Sequence, residues 1–287
     1  MRTWPAIDVD RLTEPDLLHA ALTDFDVVAI DERAPDSWTV FFQTAGDRDR
    51  AAHAIPAVFP DLRVERVDVP DEDWALRSQA GLNAIRVGSI IVAPPWDVPA
   101  GAIEATTAPG ASAAVRDPVV IVIQPSMGFG TGHHATTRLC LQALQQLNIE
   151  GRTAIDVGTG SGVLAIAALL RGAAHAVAID DDPDAVQAAR ENADRNGVSV
   201  EFLVADMRAT ALSPFDLVMA NLTGGLIVQS ASRLQDLMTA RGCIILSGFQ
   251  DHEEAAVLAA LPALRVADRG QEDEWVCVTL RHERAFE

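Results

Sequence analysis

The 287-residue chain contains no lysine and no tyrosine, and its cationic side chains are all arginine, 22 against 41 carboxylates. The joint loss of two residue types reads as compositional drift, and no mechanism attaches to it. Cysteine is scarce as well. Cys140, Cys243 and Cys277 stand far apart without CxxC spacing, which excludes a disulfide-stapled scaffold and a metal cluster built from them, and suits reduced thiols in a cytoplasm. No window approaches the roughly 18 apolar residues of a spanning helix, and the start MRTWPAIDVDRLTEPD has no apolar stretch behind a basic one. Neither a membrane nor a secretory route is expected. A net charge of −19 argues against a phosphate backbone as direct partner, whereas the same field steers a basic protein or a cationic small molecule inward.

What is present is ordinary globular composition, 49% hydrophobic and 22% charged, at a length that suggests two domains. Runs at Trp4–Val9, Val27–Ile30, Ser37–Thr44 and Leu62–Val69 read as strands. Pro15–Phe25 and Asp47–Val58 read as helices, giving a βαββαβ order over residues 1–70. That order predicts a small α+β, ferredoxin-like sandwich. Residues 71–85 read as a connector helix, Ile85–Ala93 as strand-like, and Ala100–Ala114 as a low-complexity loop. From residue 86 to 287, strands and helices alternate: strands at Val119–Ile123, Thr153–Val157, Ala176–Ile179, Val200–Val204, Phe215–Ala220 and Cys243–Ser247, and helices at Thr136–Leu147, Val163–Arg171, Pro183–Asn196 and Gly225–Leu237. Such alternation predicts an α/β fold with a doubly wound, Rossmann-like sheet.

The segment AIDVGTGSG places Gly158, Gly160 and Gly162 at a strand-to-helix turn, where a nucleotide-type ligand can approach bare backbone and free N–H groups. About twenty residues on, after the next strand, stands Asp180-Asp181-Asp182. Asp180 is positioned to accept both ribose hydroxyls of an adenosine, and Asp182 to cap the following helix. GxGxG spacing departs from the GxGxxG of dinucleotide sites, and Asp156 before the glycines suits a ligand carrying positive charge, such as S-adenosylmethionine. His133 and His134 lack partners at ligand spacing, so no metal is expected; a place in a cofactor loop fits them better.

These stretches, together with GFGTGHHATTRLCLQAL (Gly128–Leu144), AIDDDPDAVQAARENADRNGV, FDLVMANL and EWVCVTL, make the chain resemble the PrmA family over nearly its full length. That family comprises class I methyltransferases that modify lysine side chains and the N-terminal amine of ribosomal protein eleven of the large subunit. The resemblance implies S-adenosyl-L-methionine as cofactor and a basic ribosomal protein as substrate. It further implies that Thr137, Gly158, Asp180 and Asn221 contact the cofactor, with Phe129, Gly130 and Thr131 in a loop over its methionine end and Asp206 near the adenine amino group. Asn221-Leu222-Thr223 falls where amino-group methyltransferases place the turn whose side-chain and backbone carbonyls orient the target nitrogen, so Asn221 and Leu222 are the catalytic candidates. Gln124 and Ser126 depart from the family pattern, and the 100–114 loop is longer than usual. Residues 1–70 are then the substrate-recognition domain. The competing readings are a methyltransferase for another protein lysine or a small amine, a nicotinamide-dependent oxidoreductase, and a non-catalytic adenosine-binding module.

Overall fold

The computed structural model describes residues 3–11, 18, 21–22, 25–34, 36–70, 82–100, 118–125 and 132–282. The chain divides into two compact units, Met1–Gly81 and Leu82–Glu287. Most of the expected 71–85 connector helix lies outside the described residues; 82–84 carry no regular structure.

In the first unit, β1 (Thr3–Asp10), β2 (Val27–Ala34), β3 (Ser37–Phe42) and β4 (Arg63–Pro70) form an antiparallel sheet in the order β2-β3-β1-β4. Alternation puts Ile7 and Val9 on the face that packs with Trp38, Val40 and Phe42 against Ala51 and Ile55 of α1 (Ala45–Val58). Thr44 caps α1 by accepting from the Asp47 N–H at 3.1 Å. Leu18 and Leu22, predicted to share a helix face, are buried in that same cluster; the remainder of Pro15–Phe25 is only partly described.

The second unit opens with a hairpin where the sequence reads strand-like without a break. Ile85–Ala93 is two strands, β5 (Ile85–Val87) and β6 (Ile90–Ala93), paired antiparallel across a turn at Gly88-Ser89. Gly88 has φ +60°, and a side chain there would meet Gln145 Oε1 at 2.6 Å. That oxygen instead accepts from the Ser89 N–H and hydroxyl, at 2.8 and 2.9 Å. Apolar periodicity cannot register a turn fixed by a side chain 56 positions away. Strand β7 (Val119–Val122) joins β6 in parallel to complete this three-stranded sheet.

After α2 (Ala135–Gln145) comes the doubly wound body: β8 (Thr153–Val157), α3 (Val163–Leu170), β9 (His175–Asp180), α4 (Pro183–Arg195), β10 (Glu201–Val204), β11 (Phe215–Asn221), α5 (Gly224–Asp236), β12 (Met238–Gln250), α6 (Glu254–Ala259), β13 (Leu264–Glu272) and β14 (Trp275–His282). Strand order is β10-β9-β8-β11-β12-β14-β13, parallel through β12 and antiparallel on both sides of β14. This is the doubly wound order 3-2-1-4-5-6 with one reversed strand inserted before the last. Strand β12 runs far beyond the expected Cys243–Ser247, because Met238 already pairs with Phe215 and the register shifts before Leu217 meets Cys243. Helix α3 is apolar all round and buried from Val163 to Ala168. No helix among the described residues is long and apolar enough to cross a membrane.

Two polar side chains tie elements of the second unit together. At the starts of β8, β11 and β12, Asp216 accepts from the Thr153 N–H and hydroxyl, both at 3.1 Å, and from the Thr239 hydroxyl at 3.2 Å. At the free edge of β7, Asn196 at the end of α4 supplies Val122 with both a donor and an acceptor, at 2.7 and 2.8 Å, standing in for a neighbouring strand. Asn196→Ala leaves both backbone groups of Val122 unpaired in a site only 2% exposed, so the expected loss is about 2 kcal/mol or more. Thermal unfolding should show a fall of at least about 4 °C; no shift would mean that water substitutes for the amide.

Candidate active site

The carboxyl ends of β8, β9 and β11 face the same crevice, the place where open α/β sheets bind ligands. From β8 the chain enters the glycine turn, with Gly158, Gly160 and Gly162 all at positive φ (+70°, +51° and +84°). The Gly158 and Thr159 N–H groups both donate to the Ile179 carbonyl, at 2.9 and 3.0 Å, which ties the turn to the end of β9. Gly162 has no side-chain cap to offer α3.

Asp156 supplies that cap from the strand below. Its carboxylate is 1% exposed and accepts from the Thr159 hydroxyl at 2.7 Å and the Ala165 N–H, in the first turn of α3, at 3.2 Å. Burial pushes its pKa up to about 6; the Thr159 and Ala165 hydrogen bonds oppose the rise and the charge of Asp180 adds to it. Asp156 is therefore placed beneath the turn, holding its shape. Because the folded-state pKa exceeds the unfolded value, the folded chain retains this proton between about pH 4 and 6, where the unfolded chain has released it. The resulting stability is complete below that window and lost, by about 3 kcal/mol, as pH rises through it. Urea titrations at the two ends of the window should show this drop in the native chain and a flatter profile in Asp156→Asn; equal slopes would place the titration elsewhere.

Asp180, half-buried at the end of β9, accepts from the Gly160 N–H through Oδ2 at 2.9 Å and from the Asp182 N–H through Oδ1 at 3.1 Å. A carboxylate offers about four acceptor sites, so two are left without a partner among the described residues, and Asp180 itself lines the crevice. Asp182 caps α4 by accepting from the Asp184 N–H at 2.9 Å, as the sequence predicts. Beside Asp180 lies a cleft of about 380 Å³, open to solvent, whose walls include Gly158, Asp181, Asp206, Met207 and Leu222. Asp206 is clasped by Arg208, whose Nε and Nη2 donate to it at 3.0 and 2.9 Å, and this holds its carboxyl below the usual range. Three carboxylates against one guanidinium leave the cleft negative, which suits a cationic ligand.

Leu222 joins cleft and turn. A side chain on Gly158 would sit 2.5 Å from Leu222 Cδ2, so the missing Cβ is what lets Leu222 lie over the glycine turn. Its backbone is fixed from the other side: the N–H donates to the Ser247 carbonyl at 2.9 Å, and Gly248, at φ +94°, leaves room for the Leu222 carbonyl only because it too lacks Cβ. Next to it, Asn221 at the end of β11 directs Nδ2 to the hydroxyl of Thr137, 3.5 Å away on α2. The structure thus brings together Thr137, Gly158, Asp180, Asn221 and Leu222. Phe129, Gly130 and Thr131 lie outside the described residues. His134 caps α2 and packs edge-on against Trp275 at 4.8 Å. Among the described residues no group of three or more potential ligands could hold a metal.

Residues that sequence reasoning passed over support the turn from behind. Asn192, 1% exposed, accepts from the Gln124 N–H at 2.8 Å and donates to the Ser161 carbonyl at 3.0 Å, linking the glycine turn to the end of β7. Only the backbone of Gln124 is used, so its departure from the family pattern costs this contact nothing. Two asparagines four apart in an otherwise amphipathic helix were the available signal.

A family model described as ribosomal protein L11 methyltransferase (PrmA) matches residues 26–283. A ribosomal protein L11 methyltransferase of Cupriavidus pinatubonensis is 36% identical over 241 residues, 81% of this chain and 76% of that one. Its counterpart in Geobacter sulfurreducens is 38% identical over 83% of this chain and 74% of its own. Among solved structures, a ribosomal protein L11 methylase from Lactobacillus delbrueckii subsp. bulgaricus superposes with a TM-score of 0.60 at 24% identity, covering 70% of this chain and 99% of that one. The likeness of that structure is one of fold.

Proposed function

The chain belongs to the PrmA family of ribosomal protein L11 methyltransferases, and from that premise we propose that it is an S-adenosylmethionine-dependent N-methyltransferase acting on amino groups of ribosomal protein L11. The observation that carries the reading is the continuity of Asp180, the glycine turn and Leu222: a carboxylate with open acceptor sites, a bare backbone beside it, and a turn laid directly on that backbone. Asp180, Gly158, Gly160 and Gly162 would hold the nucleoside, with Asp206 at the base and Thr137 and Asn221 toward the other end. Asp156 acts on the cofactor through the turn it braces. S-adenosylmethionine supplies a methyl group made electrophilic by its sulfonium.

The chain's own part is to receive an amine and aim it. With Nδ2 of Asn221 turned to Thr137, Oδ1 is left as an acceptor, and the Leu222 carbonyl beside it is a second. Two fixed acceptors hold two N–H groups of a target amine and leave its lone pair pointing one way, so alignment replaces acid–base chemistry as the main source of rate. No base stands in the turn. A lysine of pKa near 10.4 must therefore lose its proton to water before or during entry, a loss that desolvation favours.

Residues 1–70, read as a ferredoxin-like domain, would recognise the protein substrate; a split βαβ unit gives the strand order β2-β3-β1-β4 seen there. The charge of −19 favours a basic ribosomal protein over nucleic acid or an anionic membrane, and a cytoplasmic site of action follows from that substrate. Calorimetry with S-adenosylhomocysteine tests the cofactor half: one site per chain is expected, and binding of NAD in its place would favour an oxidoreductase.

A further inference from the structure

Three side chains converge on the backbone where the chain enters its second unit. The indole N–H of Trp96 donates to the Leu82 carbonyl at 3.1 Å, the Asn83 carbonyl lies 3.0 Å from Nε2 of His133, and the Ala84 N–H donates to Oδ2 of Asp97 at 2.6 Å. Each of the three consecutive residues before β5 is thus held by a different side chain through a backbone group, so the grip does not depend on what Leu82, Asn83 and Ala84 are.

Closing the β5–β6 hairpin would account for Trp96 and Asp97 but not for His133, which comes from 50 positions away. A carbonyl accepts, so Nε2 of His133 carries the proton, and its buried Nδ1 then faces no partner among the described residues. A buried ring nitrogen left unpaired is a cost, which argues that the Asn83 contact is held for a purpose. Gly132 beside it, at φ +87°, presses its backbone onto the same hairpin: a Cβ there would meet Ile85 and Val92 at 3.1 and 3.2 Å. Four residues after His133, on the first turn of α2, stands Thr137, the partner of Asn221. The entry segment is therefore tied to His133, just ahead of α2, and the first turn of α2 carries the hydroxyl that meets Asn221.

We propose that Trp96, Asp97 and His133 are positioning residues that anchor residues 82–84 to the segment after β6 and to the residues that lead into α2, so that a protein held by the first unit is delivered to the Asn221 turn from an anchored entry segment. The inference rests on the methyltransferase reading above. The partner it concerns is a folded protein substrate; a free small amine has no use for the anchor.

The test compares the full-length chain with the double variant Trp96→Phe, Asp97→Ala. Trp96 is 48% exposed, and neither residue touches the cleft or the Asn221 turn, so folding and cofactor affinity should persist. Two readouts are needed. Spin labels at His53→Cys on α1 and Arg195→Cys on α4, both exposed while the native cysteines are buried, report the spread of distances between the units. Kinetics with ribosomal protein L11 report KM and kcat separately. The double variant should broaden the distance distribution and raise KM about tenfold with kcat within about twofold, and Asp97→Asn, which keeps an acceptor for Ala84, should behave as the native chain. An unchanged distribution overturns the anchor whether or not methylation is seen. A broadened distribution with unchanged KM, or a fall in kcat alone, overturns its delivery role. A broadened distribution in a chain that methylates nothing upholds the anchor and counts against the methyltransferase reading instead.

Discussion

Asp180→Ala is expected to weaken binding of S-adenosylmethionine by about 10² to 10⁴ and to bring methyl transfer to background. On the proposed reading two charge-assisted hydrogen bonds to ribose hydroxyls would be lost, each worth about 1.5–3 kcal/mol, and a tenfold change in affinity corresponds to about 1.4 kcal/mol. The Gly160 and Asp182 N–H groups lose their acceptor in the same step, so the glycine turn loosens as well. Asp180→Asn keeps one oxygen as acceptor and should fall between the native chain and the alanine variant. Calorimetry measures these affinities directly, with circular dichroism to show that the sheet persists. A loss below about fivefold for the alanine variant would mean that the cleft beside Asp180 is not where the nucleoside binds.

Asn221→Ala is expected to lower kcat by about 10² to 10³ while changing cofactor affinity by no more than about tenfold. Removal of one preorganised polar group at a reacting centre typically costs a factor of this size, and misplacement of the nucleophile by about 1 Å costs a similar one. The effect should be graded through the neighbour that orients the amide. Thr137→Val removes the hydroxyl that meets Nδ2, lets the amide rotate, and should cost about tenfold in kcat. Single-turnover measurements with saturating cofactor separate this from binding. If Asn221→Ala raised KM for the cofactor and left kcat untouched, the residue would serve the cofactor alone and the acceptor role would pass to the Leu222 carbonyl.

The parts of this site that could be read from the sequence are those governed by local rules. A strand, a glycine turn and an apolar helix in immediate succession leave few backbone options, and the acid about twenty residues on falls at the end of the neighbouring strand. Asp182 before Pro183 announces a helix start by its chemistry alone. What escaped notice depends on partners distant in sequence. The Gly88 turn is set by Gln145, the edge of β7 by Asn196, the shape of the glycine turn by Asn192, and the place of the Leu222 carbonyl by Gly248. Asp156 shows the same limit within a motif. Its type and position marked it as part of the site, but only burial and the bonds to Thr159 and Ala165 reveal that it acts by bracing the turn.

The acidity of the chain acquires a consistent reading at two scales. Locally, Asp180, Asp181 and Asp206 make the cleft attractive to a cofactor carrying a sulfonium and an ammonium. Globally, −19 charges draw in a basic protein, an attraction that salt screens over about 10 Å at 0.1 M. Association with ribosomal protein L11 should accordingly slow as ionic strength rises, whereas turnover of bound substrate should not.

The most direct test of the account is the intact mass of ribosomal protein L11 after incubation with this chain and S-adenosylmethionine. The account predicts mass gains in whole-methylene steps on lysine side chains or the N-terminal amine, absent with Asp180→Ala and strongly slowed with Asn221→Ala. An unmodified mass from a chain that demonstrably binds the cofactor would contradict it and would assign the Asn221 turn to some other amine.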